Sequence, residues 1–250
     1  MKKIRFLFVL VVTTTLTSCN FTENIDVQSD GTGTFALEID GAGLMAMAGD
    51  NLGKEFGAKN NAKAIDSTFS FKQIFEDKKD SIAKLTSEQQ EVLKKLESFV
   101  MKIKMNPEAK QFLFSIKNDF KSLNELQDVS KVLHSLQDLE GKNDQQAQEF
   151  TKMIENNAEV SFNYSFKKFT RTSNLLAKDK KKEIQDSEDM SKMFFQSSNY
   201  VLKYSFPKKI KKVSNTEAIV SDDKKTVTIQ YPFTEYMENP KKLDLVVEFE

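Results

Sequence analysis

The chain has 250 residues, 39% of them hydrophobic and 30% charged, with 37 basic against 37 acidic side chains. That balance supports a folded core and excludes disorder throughout. One cysteine, one histidine and no tryptophan leave nothing for an internal disulfide or a thiol-based metal centre.

The first eighteen residues form an export leader. Lys2, Lys3 and Arg5 are its basic start, Phe6 to Val12 its unbroken apolar middle, and small residues close it. The closing run Leu16-Thr17-Ser18-Cys19 resembles the lipobox of bacterial lipoproteins. The resemblance implies cleavage between Ser18 and Cys19, a diacylglyceryl group on the Cys19 thiol and acylation of the new amino terminus. Two or three chains hold a protein firmly, because each buried methylene contributes about 0.8 kcal/mol. Asn20 follows where aspartate resembles an inner-membrane retention signal, so the expected address is the outer membrane. The face of that membrane stays open.

Loss of the leader takes three basic groups and no acid, so the remaining body carries a formal charge of −3 and Arg171 as its one arginine. Without a basic surface or a set of guanidinium forks, nucleic acid is not an expected partner. Beyond the leader, no apolar run approaches the roughly 20 residues that span a bilayer.

Along the body, Ile25 and Val27 alternate into the turn Ser29-Asp30-Gly31-Thr32-Gly33, and Phe35, Leu37 and Ile39 alternate out of it. That pattern predicts a β-hairpin rather than a calcium loop, since EF-hand spacing is absent. Residues 41–57 are rich in Gly and Met and suit an imperfect helix with Leu44, Met47, Leu52 and Phe56 on one face. Residues 60–71 read as a loop. Thr86-Ser87-Glu88-Gln89 is a capping box opening a helix with Val92, Leu93, Leu96 and Phe99 inward. Residues 99–105 fit either continuation of that helix or a strand. The preferred reading is a second hairpin, with Met101, Ile103 and Met105 facing Phe112, Phe114 and Ile116 across Asn106-Pro107.

Two helices are expected over 122–141 and 144–156, with the lone His134 on a helix flank and no metal bound. Val160 to Phe166 alternates as a strand, and 178–189 is a charged, solvated stretch. Tyr200 to Phe206, Val227 to Tyr231 and Leu243 to Phe249 alternate again, with a turn at Asp222-Asp223-Lys224-Lys225.

The elements predict an α+β fold: one antiparallel sheet formed by N- and C-terminal strands, with the helical middle packed on one face. The domain organisation is a cleaved leader over 1–18, a lipidated tether over 19–23, and a single α+β domain over 24–250. The opening hairpin around Asp30-Gly31-Thr32-Gly33-Thr34 resembles the LppM-type lipoprotein domain. So does the tail, through Tyr204-Ser205-Phe206-Pro207, Ile210, Asn215 and Lys225-Thr226-Val227-Thr228-Ile229. The resemblance implies an extracytoplasmic lipoprotein with an α+β sheet and a role in binding apolar or glycolipid ligands, and it transfers no functional residue.

No Gly-x-Ser-x-Gly elbow, His-Glu-x-x-His pair or phosphate loop is present. The expected function is therefore a non-catalytic binding or scaffold role at the cell envelope, without a cofactor, partnered with the membrane through Cys19. An envelope protein or apolar ligand is the expected further partner. The first alternative is a carrier of an apolar ligand or lipid, with Leu44 to Met47, Phe162, Tyr164 and Tyr204 as lining. The second is a carboxylate-dependent hydrolase, for which no catalytic residue stands out.

Overall fold

The computed structural model describes residues 20–43, 45, 64–123, 126, 158–175 and 195–250. Its first strand, β1 (Asn20–Val27), runs into β2 (Gly33–Asp40), and the two pair antiparallel from Asn20↔Asp40 to Val27↔Gly33. The turn between them closes as its residues dictate. Gly31 takes φ +87°, open only to glycine at low cost, and the Asp30 carboxylate accepts from the Thr32 amide (3.0 Å) and hydroxyl (2.7 Å). Gly33 is needed for another reason. A Cβ there would stand 2.1 Å from the Asp26 carbonyl and 2.5 Å from the Phe120 ring.

Next come β3 (Ile65–Ser70), α1 (Phe71–Asp77), α2 (Lys79–Ile82) and α3 (Ser87–Leu96). The predicted capping box is present. The Thr86 hydroxyl accepts from the Gln89 amide, and the Gln89 side chain accepts from the Thr86 amide at 3.1 Å. Leu93 and Leu96 are buried. Phe99 is not on this helix but opens β4 (Phe99–Asn106), which pairs with β5 (Gln111–Phe120), so 99–105 is strand and the second hairpin exists. The expected loop at 60–71 is overturned from Ile65 onward. The short polar run Ile65-Asp66-Ser67-Thr68-Phe69-Ser70 lacks an apolar stripe of its own and forms a strand by pairing with β4.

On the other side of β1 lies β8 (Asn199–Ser205), and the two run parallel, Asn20↔Asn199 to Asp26↔Ser205. Beyond it are β11 (Thr226–Pro232) and the two-residue β10 (Ile219–Val220), giving an eight-stranded sheet in the order β10-β11-β8-β1-β2-β5-β4-β3. A second sheet joins β6 (Ala158–Tyr164), β7 (Lys168–Leu175), β12 (Leu245–Phe249) and β9 (Ile210–Val213) in the order β6-β7-β12-β9. Between β11 and β12 the chain forms α4 (Phe233–Glu238) and the 3-10 turn Pro240–Leu243.

The fold is thus α+β with large antiparallel sheets, but the single sheet expected from the sequence is two. The C-terminal strand joins the smaller one, and the N-terminal and C-terminal halves meet in the larger one through the parallel β1–β8 pair. A parallel pair needs a long crossover, here everything from β2 to β8, and nearest-neighbour patterning cannot reveal it. The helices expected over 41–57, 122–141 and 144–156, His134 and the charged stretch 178–189 lie wholly or almost wholly outside the described residues.

Alternation places Phe21, Glu23, Ile25 and Val27 of β1 on one face with Tyr200, Leu202 and Tyr204 of β8, all buried. That face meets Phe162 of β6, Phe169 and Arg171 of β7, and Leu245, Val247 and Phe249 of β12. Rings join the layers: Phe169 to Tyr204 at 5.4 Å, Phe169 to Phe206 at 5.1 Å, and Phe206 to Phe249 at 4.9 Å between centroids. No helix among the described residues is long and apolar enough to cross a membrane.

Candidate functional site

Two charged side chains occupy positions that strand alternation assigns to the core. Glu23 sits between Phe21 and Ile25 on β1, with 4% exposure, and Arg171 sits between Phe169 and Ser173 on β7, with 1%. They meet between the sheets, Arg171 Nη2 donating to Glu23 Oε2 at 3.4 Å. The parallel register sets Leu202 beside Glu23, which puts Tyr200 and Tyr204 one step to either side on the same face. Tyr200 donates to Glu23 Oε2 at 2.8 Å, and Tyr204 donates to Oε1.

The arginine is held equally closely. Nη1 donates to Ser173 Oγ (3.0 Å) and to the Leu243 carbonyl (3.3 Å), while the Ser173 amide donates to Asp244 Oδ1 (2.7 Å). Tyr236 of α4 closes the cluster, its ring 4.1 Å from that of Tyr200. Burial alone works against the Arg171 charge. The Glu23 carboxylate, with the phenols of Tyr204, Tyr236 and Tyr200 behind it, more than restores it, so the guanidinium titrates well above its ordinary value. Burial first, and the Glu23 charge second, hold the Tyr200 and Tyr204 hydroxyls well above the usual phenol range. Burial raises Tyr236 as well.

The Tyr200 and Tyr204 hydroxyls therefore stay protonated through neutral pH and donate to the Glu23 carboxylate, beside a guanidinium that stays charged. Burying two ions costs several kcal/mol each, and their attraction roughly offsets it. The gain is registry. A one-residue slip of β1 would turn Glu23 to the outer face and strand the Arg171 charge between the sheets. The arrangement is a clamp between two sheets, and its groups are too buried to meet a substrate.

The second feature is open. Where the β1–β2 turn, the chain leaving β5 and the β6–β7 turn converge, Asp30, Gly31, residues 121–123 and residues 164–166 line a depression of about 230 Å³. The Tyr164 hydroxyl is buried there without a hydrogen-bond partner, and burial raises its pKa. The Asp30 carboxyl is held below its usual value by the hydroxyl and amide of Thr32. Phe166, expected inside a strand, is instead at the turn and 63% exposed.

Of the expected ligand lining, Phe162 and Tyr204 pack against each other at 6.5 Å in the core, and Tyr164 is at the depression with its ring 6.0 Å from Phe249. Met45 is buried in the core, and Leu44, Ala46 and Met47 lie outside the described residues. So do Ser18 and Cys19. Asn20 to Glu23, expected as tether, form the first half of β1. Alternation of apolar residues alone does not reveal the clamp. The available signal was one acid and the body's only arginine, each standing on a buried stripe.

No protein-family model matches the sequence, and no curated protein matches it. Among solved structures, the folded domain of LppM from Mycobacterium tuberculosis, determined by NMR, overlaps 93% of this chain and 90% of its own at 6% identity and a TM-score of 0.40. At that TM-score and identity, the likeness transfers neither residue roles nor function.

Proposed function

We propose that this is a lipid-anchored protein of the bacterial cell envelope, exported, cut before Cys19, and acting by binding or scaffolding without catalysis. One observation carries the reading. The first described strand, β1, begins at Asn20, the residue after the sole cysteine, and Asn20 pairs with Asp40 and Asn199. Cleavage at the lipobox would remove nothing that the described sheets use. The sealed clamp favours a non-catalytic body, because the buried carboxylate is already saturated by Arg171, Tyr200 and Tyr204. Asn20 after the cysteine supports an outer-membrane address.

The test is metabolic labelling with an alkyne fatty acid, followed by mass spectrometry of the amino-terminal peptide. The wild type should carry acyl groups on Cys19 and lack residues 1–18. Cys19→Ala should remain an unlabelled precursor. A label retained in Cys19→Ala, or a mature protein with a free thiol, would overturn the reading.

A further inference from the structure

We propose that the end of the molecule opposite Cys19 docks on an anionic phospholipid bilayer, so that the anchored protein bridges two membrane surfaces. The bridging rests on the lipid anchor proposed above; the docking surface stands on its own geometry.

Strand β1 fixes the direction. Asn20 is held by neighbours on both sides, one position along the chain from the proposed anchor at Cys19. The strand carries the chain about 26 Å away at 3.3 Å per residue. At that far end, the β1–β2 turn lies beside the β6–β7 turn, across the shared depression.

There Phe166 holds an apolar ring in solvent. Its position is built: Lys208 Nζ stands 5.5 Å from the ring centroid and donates to the Phe166 carbonyl at 3.1 Å. Lys167 and Lys168 follow Phe166, and Lys209 follows Lys208. Backbone bonds pin both segments to the end of β12 and the residue after it, since the Lys167 carbonyl accepts from Phe249 (3.1 Å) and the Lys209 carbonyl from Glu250 (2.9 Å). Four lysines thereby adjoin one exposed ring along these two segments, and the Lys208 ammonium stands against it.

Lysines outnumber the nearby acids, with Lys167, Lys168, Lys208, Lys209, Lys212 and Lys224 against Glu248, Glu250 and Asp30. Glu250 lies 3.6 Å from Lys224, and Glu248 stands between Lys168 and Lys212 in the ladder. A ring without a polar handle, flanked by lysines on rigid turns, matches a bilayer surface: the ring reaches the acyl boundary while the ammonium groups meet phosphates. A sugar or protein partner would gain more from a phenol or indole, which could also hydrogen-bond.

The experiment places the full lipidated chain in phosphatidylcholine vesicles and measures capture of a second, fluorescent population with or without phosphatidylglycerol. Capture should require phosphatidylglycerol and weaken as salt rises. Lys208→Glu with Lys209→Glu should weaken it by about 25-fold or more, at about fivefold per lysine lost. Phe166→Ser should weaken it by about tenfold, and Lys208→Arg should preserve it. Equal capture of uncharged vesicles, or undiminished capture by the charge-reversed variant, would overturn the proposal. If the chain fails to float with its own vesicles, the anchor reading has failed. The same variants are then compared for direct flotation with phosphatidylglycerol vesicles, where loss supports the docking surface and equality overturns it.

Discussion

Replacing Arg171 by Met keeps much of the side chain's volume and removes its charge. Glu23 then stays between the sheets with two tyrosine donors and no cation. At 3.4 Å and an effective dielectric constant of about 20, the lost attraction is about 5 kcal/mol. Bonds to Ser173 and Leu243 disappear as well, at about 1 kcal/mol each. The relief from no longer burying the guanidinium offsets part of this, so the net cost should be about 3–5 kcal/mol, as for other halves of buried pairs. For a protein of this size, the thermal midpoint should fall by roughly 6–20 °C. The assay is a double-mutant cycle of urea unfolding curves with Arg171→Met, Glu23→Gln and the pair together. The double variant should recover most of the loss, because the neutral amide that replaces the carboxylate still accepts from a tyrosine and leaves no buried charge. A single variant within 1 kcal/mol of wild type, or a double variant no better than Arg171→Met alone, would refute the clamp.

Alkaline titration followed by tyrosinate absorbance should show Tyr200, Tyr204 and Tyr236 protonated beyond their ordinary pKa of about 10 until the protein unfolds. Since their folded pKa values are raised, the stability they contribute is complete below about pH 10 and declines as the unfolded chain ionises above it. Smooth ionisation of all five tyrosines in folded protein would contradict this. Gly33→Ala should destabilise by about 1–3 kcal/mol, since its Cβ would collide with the Asp26 carbonyl and the Phe120 ring; chemical denaturation reads the loss. Lipid labelling of Cys19→Ala completes the set and should be negative.

Local chemistry was legible where it is short-range. The Asp30-Gly31 turn, the Thr86–Gln89 box and the alternation of Tyr200 to Phe206 each encode their own conformation through residues a few positions apart, and each is present as read. Strand β7 was not legible. Lys168-Phe169-Thr170-Arg171-Thr172-Ser173 shows one apolar residue on the face that ends up buried, and its inward Arg171 and Ser173 become tolerable only once Glu23, Leu243 and Asp244 arrive to satisfy them. Edge strand β3 was missed for a related reason: its pairing partner supplies the stability that its own residues lack.

From its residues alone, the chain determines two hairpins, a capping box and an α+β composition. Turns and caps depend on neighbours a few positions apart in the chain. The tertiary structure alone decided that β1 and β8 run parallel, that the strands divide into two sheets, and that Glu23 meets Arg171 from 148 positions away in the chain. A buried ion pair is favourable only when both partners and their hydrogen bonds are already in place, and that condition belongs to the folded whole.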